Sequence, residues 1–226
     1  MEGKLKIIRI CDICLSTILI VLLFPIFSLV LFLKLIVDSR PLFYSSFRVG
    51  LKGQSFKVYK LRTMVNNPAL IKNYIDRQHP SGGFQRLDIK APIYTNFGFF
   101  CELFQFVELP QLINVLLGQM SLIGNRPLPK DITKALERDF GEDLVRSRVS
   151  CMPGISGIVQ ITGKNILTDK ERLILEKGYC KFVLNASPFL VTLVYFLILL
   201  ETLVQVISLG KIEIFKKQIQ SIVCKK

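Results

Sequence analysis

Histidine is almost missing from this chain. His79 is the only one and sits in a polar stretch, so chemistry built on an imidazole is disfavoured. Cysteine is thinly scattered, as Cys11, Cys14, Cys101, Cys151, Cys180 and Cys224. Cys11 and Cys14 form a C-x-x-C, but they open an apolar segment, with no second pair and no histidine cluster. A zinc or thioredoxin-like site needs those further ligands or that context, so the cysteines read as free thiols of a reducing compartment. Acidic residues are scarce: 17 Asp and Glu stand against 30 Lys and Arg, for a net charge of +13. No nucleic-acid motif accompanies this charge, which points instead to anionic lipid headgroups or phosphorylated substrates. A small-residue cleavage site is lacking too, and the first apolar run exceeds a signal-peptide core.

Apolar residues are plentiful. Half of the chain is hydrophobic and the mean hydropathy is +0.44, high for a soluble protein of 226 residues, and the apolar residues are bunched rather than periodic. Residues 13–33 are almost unbroken in apolar character and end at Lys34. A helix of that length reaches about 30 Å, the thickness of a bilayer core. Pro25 near its middle removes a helix hydrogen bond and favours a bend, so the segment either spans or enters and turns back. Lys4, Lys6 and Arg9 before it and Lys34 after it favour a cytoplasmic body.

Beyond that segment, residues 43–49 and 55–61 alternate in part around Gly50 and Gly53, which predicts a hairpin. Residues 66–92, with Pro68, Pro80, Gly82 and Gly83, read as a mobile polar loop. Residues 97–117 read as an apolar helix interrupted by Pro110, 131–148 as one charged amphipathic helix, and 151–163 as a glycine-rich turn region. A second apolar run, 182–200, is broken by Asn185 and Pro188. It suits a buried core helix or an interfacial or membrane helix about equally. The tail from Lys211 is basic and amphipathic.

Four blocks carry a resemblance. The first is Phe47-Arg48-Val49-Gly50, then Gly53, Phe56, Lys57 and Lys60-Leu61-Arg62-Thr63-Met64. The second runs from Glu108-Leu109-Pro110-Gln111 through Gly118-Gln119-Met120-Ser121 to Gly124-Asn125-Arg126-Pro127. The third is Pro153-Gly154-Ile155-Ser156-Gly157 with Gln160 and Gly163-Lys164-Asn165, and a weaker fourth is Glu171, Arg172, Glu176 and Tyr179. Together, over about residues 5–180, they resemble the bacterial sugar-transferase family, the monotopic polyprenyl-phosphate phosphoglycosyl transferases.

The resemblance implies transfer of a sugar-1-phosphate from a nucleotide diphosphate sugar to polyprenyl phosphate, at the cytoplasmic face of the bacterial inner membrane. It implies an α+β fold with a membrane-embedded, re-entrant N-terminal helix, a small β element and amphipathic interfacial helices. The expected division is 1–36 for the membrane helix, 37–180 for the transferase-like domain and 181–226 for an apolar helix with a basic tail. Expected partners are membrane lipids, polyprenyl phosphate, a nucleotide diphosphate sugar and a second copy or an active paralogue. The cofactor implied is magnesium, with Glu108 as its ligand. Lys60, Arg62 and Arg126 are the implied phosphate contacts, and Arg48 reads as structural. The family's nucleophilic Asp falls on Val107, which cannot attack phosphorus. That leaves Glu108 as the candidate catalytic carboxylate. Two further departures are Glu102, where the resemblance places an Arg, and Gln119, where it places an Asp. A catalytically silent paralogue that binds substrate is therefore the competing expectation.

Overall fold

Helix α1, Glu2–Val37, runs for 36 residues with Pro25 inside it, about 54 Å at 1.5 Å per residue. The computed structural model describes residues 2–38, 40–79, 83–84, 87–88, 90–163, 166–208 and 210–224. Within α1, Lys6–Val37 is long and apolar enough to cross a membrane. Its middle faces outward, with Val21 and Leu22 each 66% exposed. Both ends are tied to the body. Near the start, the Arg9 guanidinium donates to the carbonyls of Val115 and Leu116. Asp12, 3% exposed, accepts from Ser121 Oγ, Leu122 N and Tyr195 Oη at 3.0, 2.9 and 2.7 Å. Near the end, Lys34 is fully buried and paired with Asp38, whose Oδ2 accepts from Thr95 Oγ1 at 3.0 Å. Val30 there packs with Leu61 and Cys101.

Strands β1, Phe43–Val49, and β2, Ser55–Leu61, form the expected antiparallel hairpin with its register fixed by Phe43↔Leu61 and Val49↔Ser55. The expected loop that follows holds a helix instead: α2, Pro68–Gln78, ends at His79. The cause is local, since Asn67 Oδ1 caps the Leu70 amide at 3.1 Å and Pro68 sits in the first turn. Those signals outweigh polar composition. Residues 80–82, 85–86 and 89 of that expected loop lie outside the described residues.

The expected helix over 97–117 is divided into α3, Asn96–Leu103, a 3₁₀ turn at Phe106–Glu108, and α4, Gln111–Leu116. The break falls before Pro110, where Gln105 takes left-handed φ 59°, and the two parts meet at 86°. The short strand β3, Ser121–Ile123, pairs in parallel with β4, Gly154–Ser156. The charged helix over 131–148 is likewise two, α5, Lys130–Phe140, and α6, Glu142–Ser147. Gly141 at φ 87° separates them, as a positive-φ glycine ends a helix.

After β4 come α7, Ile158–Thr162, and α8, Asp169–Asn185, the latter opened by a capping box between Thr168 and Glu171. Helix α9, Pro188–Ile207, and α10, Lys216–Cys224, close the chain. The main core joins Val58 of β2, Val115 of α4, Ile158 of α7, Phe182 of α8, Ile198 of α9 and Ile219 of α10. The stretch from 181 onward thus shares this core. Helix α9 has one buried and one exposed apolar face. Val191, Val194, Tyr195 and Ile198 face the core, whereas Phe189, Leu193, Phe196, Leu200, Leu203 and Ile207 form an exposed apolar stripe.

Candidate active site

Two close backbone approaches assemble the site. At the β3–β4 pair, a Cβ on Gly154 would lie 2.0 Å from the Gly124 amide nitrogen. Only glycine lets these segments meet, and their contact fixes the course of residues 124–127. At α3, a Cβ on Gly98 would lie 1.9 Å from the Thr63 carbonyl oxygen, so the N-terminal turn of α3 lies directly on the segment that follows β2.

Asn114 then sets α4 against the hairpin. Its Nδ2 donates to Lys57 O and to Gln119 Oε1, each at 2.7 Å, and its Oδ1 accepts from Tyr59 N at 3.2 Å. Gln119, where the resemblance expects a carboxylate, has the role of acceptor in this brace.

These constraints bring Lys60, Glu108 and Arg126 together. Arg126 Nη2 lies 2.5 Å from Glu108 Oε1, and Lys60 Nζ lies 3.9 Å from the same oxygen. A small cavity beside them is lined by Arg48, Val58, Lys60, Gln111, Arg126 and Pro127. Arg48, read from the sequence as structural, thus lines this cavity. The hairpin explains why: register puts Arg48 opposite Phe56, Val58 opposite Ser46 and Lys60 opposite Tyr44. Side chains two apart on a strand share a face, so Arg48, Val58 and Lys60 project together.

The electrostatics follow from this crowding. Desolvation, reinforced by Arg126, pushes the Lys60 ammonium down to about 8, against the opposing pull of Glu108. Desolvation and Arg126 also lower Arg48, whereas the charge of Glu108 raises Arg126. Glu102 acts from the margin. Its Oε1 accepts from Thr63 Oγ1 at 2.8 Å, and its charge raises Lys60 and Arg126.

The remaining expected residues lie elsewhere. Arg62 is buried, with Nε donating to Pro41 O at 2.5 Å and Nη1 to Met64 O at 2.9 Å. These bonds brace the backbone around β2, and Arg62 is not brought to the cavity lining. Val107 is 4% exposed. Next to it in a 3₁₀ turn, where successive residues point about 120° apart, Glu108 faces Arg126 and Lys60.

Behind Arg126 lies a buried network that sequence reasoning touched only in part. Arg148 Nη2 donates to Arg126 O at 2.7 Å and its Nε to Glu176 Oε2 at 2.7 Å. Arg172 joins at 3.4 Å from Glu176 Oε1 and stacks 3.7 Å above Phe84. The i,i+4 spacing of Arg172 and Glu176 was the available signal; Arg148 had none.

The donor set suits an anion better than a magnesium ion. Magnesium is usually held by one or two carboxylates plus substrate phosphates. Here the cavity-side carboxylate, Glu108, is already shared by Arg126 and Lys60, with Arg48 also at the cavity. No group of three His, Cys, Asp or Glu side chains able to hold a metal occurs among the described residues. The residues present do not fit the implied magnesium.

The chain belongs to the bacterial sugar transferase family, whose model it matches over residues 3–210. It is 30% identical over 175 residues to the exopolysaccharide production protein ExoY of Sinorhizobium fredii, covering 76% of this chain and 75% of that protein. It is 33% identical over 177 residues to the undecaprenyl-phosphate galactose phosphotransferase of Salmonella typhimurium, covering 76% of this chain but 36% of that protein. A third relative, the UDP-N-acetylgalactosamine-undecaprenyl-phosphate N-acetylgalactosaminephosphotransferase of Aeromonas hydrophila, is 30% identical over 186 residues, 82% of this chain and 41% of that one.

Proposed function

We propose that this chain moves a sugar-1-phosphate from a nucleotide diphosphate sugar to polyprenyl phosphate, the step that starts exopolysaccharide or capsule assembly. The observation that carries this reading is Glu108, held between Lys60 and Arg126 at a basic cavity. The names of the relatives from Salmonella and Aeromonas, which specify undecaprenyl phosphate, support it.

In this reading a Glu108 oxygen attacks the β-phosphorus of the donor. The phosphoanhydride bond breaks, the nucleoside monophosphate leaves with the bond's electron pair, and the phosphosugar remains on the carboxylate. The lipid phosphate then attacks the same phosphorus, releasing Glu108 and giving a polyprenyl diphosphate sugar. Lys60, Arg48 and Arg126 offset the charge that develops on the phosphoryl oxygens, and Arg126 must turn from Glu108 to do so.

The setting is the cytoplasmic face of the inner membrane. Both ends of α1 are bonded to one body while its middle is bare, which supports an apolar helix embedded in a bilayer and held against that body. The exposed stripe of α9 and the basic residues Lys211, Lys216 and Lys217 suit an anionic lipid surface.

A second reading, a silent paralogue that binds the same ligands, is favoured by the buried valine at 107 and by Glu102 beside the cations. One assay separates the two: a panel of radiolabelled nucleotide sugars with polyprenyl phosphate in detergent. Labelled lipid and released nucleoside monophosphate, both lost in Glu108→Gln, are expected. Absence of turnover with every donor would leave the silent reading standing.

A further inference from the structure

We infer that Glu108 is a built-in stand-in for substrate phosphate, and that the diphosphate of a nucleotide sugar takes its place on Arg48, Lys60 and Arg126 without a metal ion. The inference rests on the phosphate-binding reading of this cavity but not on turnover.

The geometry shows a carboxylate where a phosphoryl oxygen would sit. Glu108 Oε1 is 2.5 Å from Arg126 Nη2 and 3.9 Å from Lys60 Nζ, the donors a phosphate would use. Glu108 belongs to a 3₁₀ turn between a left-handed residue and Pro110, so it enters the site from a bent connection rather than from a helix face. Arg48 adds a third cation from the hairpin face. It is half-buried, its charge is felt by that of Arg126, and among the described residues Ser46 Oγ, 3.1 Å from its Nε, is its hydrogen-bond acceptor.

Charge decides between the two possible guests. Three cations, Arg48, Lys60 and Arg126, surround one cavity-side carboxylate, and Glu102 is turned to Thr63. Even with Glu102 counted, the five groups are net positive. A divalent cation would add repulsion there and would have to take Glu108 from two partners. The diphosphate diester of a nucleotide sugar brings two negative charges and offsets the excess. The role a metal has in neutralising a phosphate group is filled by side chains already in place.

Isothermal titration of the detergent-solubilised full chain tests this, with a nucleotide sugar as ligand in EDTA and in magnesium. Wild type should bind in EDTA with an affinity that magnesium changes by no more than about twofold. Glu108→Gln, which keeps the shape and removes the competing charge, should bind about tenfold more tightly, the scale of one charge-assisted hydrogen bond. Arg48→Gln should bind about tenfold more weakly, with Arg48→Lys partly restored. Thermal melts of each variant separate lost binding from lost folding, and a variant that melts well below wild type is replaced by Arg48→Lys alone. Binding that appears only with magnesium, or that weakens in Glu108→Gln, would overturn the inference and leave the phosphate-binding reading intact. If a short-chain prenyl phosphate in mixed micelles responds to these substitutions and the nucleotide sugar does not, the seat belongs to the lipid monophosphate and the diphosphate assignment fails. No binding of either ligand in any condition would overturn both.

Discussion

Lys60 should make nucleotide-sugar affinity fall with rising pH while the fold grows no weaker. In the free protein its ammonium titrates at about 8, lowered by burial and by Arg126. The groups that face it are Arg126, Glu108, Arg48 and Glu102. A bound diphosphate adds negative charge beside it and returns it to the charged form, so binding takes up a proton. At pH 7 roughly nine in ten free molecules carry the charge, and at pH 9 roughly one in ten do. Affinity should therefore drop about tenfold between these values, or about 1.4 kcal/mol. The linkage sign for folding is opposite. A lysine whose folded value lies below its unfolded value makes the folded state bind fewer protons between about 8 and 10.5, so stability rises with pH across that window. Lost affinity cannot then be ascribed to unfolding. Titrations at pH 8 in two buffers of different ionisation enthalpy should show about half a proton taken up per ligand. The nucleotide-sugar diphosphate is a diester and does not titrate in this range. Lys60→Arg should abolish both the uptake and the slope. A flat affinity profile from pH 7 to 9, or the same slope in Lys60→Arg, would show that Lys60 is not the group that takes up the proton.

Three further outcomes test the scaffold. Asp12→Ala leaves the Ser121 hydroxyl, the Leu122 amide and the Tyr195 hydroxyl without their acceptor, and should cost about 3 kcal/mol or more in a denaturant melt. Arg148→Ala strands Glu176, fully buried, with Arg172 alone at 3.4 Å; a loss of about 3–5 kcal/mol is expected, along with weaker ligand binding, because Arg148 also holds the Arg126 carbonyl. The protein should stay in the membrane fraction after carbonate washing, and cysteines placed at positions 6 and 40 should be labelled from the same side, since both ends of α1 bond to one body. Labelling from opposite sides would make α1 a span.

The legible parts of this molecule were those written in local chemistry. Gly50 and Gly53 between two alternating runs gave the hairpin with the bounds observed. The run closed by Lys34 gave α1. Where competing signals met, the sequence was read by composition and the outcome was decided by capping: Asn67 and Pro68 made a helix from a polar stretch, and Gly141 cut one helix into two. At the site, the structure brings Lys60, Glu108 and Arg126 together and sets Arg48, but not Arg62, at the cavity. The place of Arg48 follows from the β period of two. Arg48 and Lys60 share a face of the paired strands, while Arg62 lies beyond β2, where carbonyls of Pro41 and Met64 claim it. Contacts such as Arg148 to Glu176 join residues far apart in sequence, and no local pattern announces them.

The position at 107 gives the sharpest test of why this chain departs from its family. The resemblance places the nucleophilic Asp there, yet Val107 is 4% exposed and its neighbour Glu108 faces Arg126 and Lys60. Val107→Asp would bury a carboxyl beside Glu108, in a site whose cations also feel the charge of Glu102. Desolvation and like charge both favour its neutral, non-nucleophilic form. The single substitution should therefore yield little phosphosugar adduct at residue 107, and should destabilise the fold by about 1–3 kcal/mol as an unpaired buried polar group. Glu102→Arg removes one of the two repelling charges and adds a cation on the α3 side, where the resemblance expects one. It also gives up the Thr63 hydroxyl bond of 2.8 Å, a smaller loss. The double variant should then form more adduct at 107 than the two single variants together, because nucleophile and charge partner act as a unit. Peptide mass mapping after incubation with a nucleotide sugar reads the adduct and its position. Abundant adduct at 107 from Val107→Asp alone would show that the pocket was already electrostatically prepared for an aspartate, and that Glu102 is no obstacle. Adduct confined to Glu108 in wild type and both single variants would instead establish Glu108 as the carboxylate that attacks.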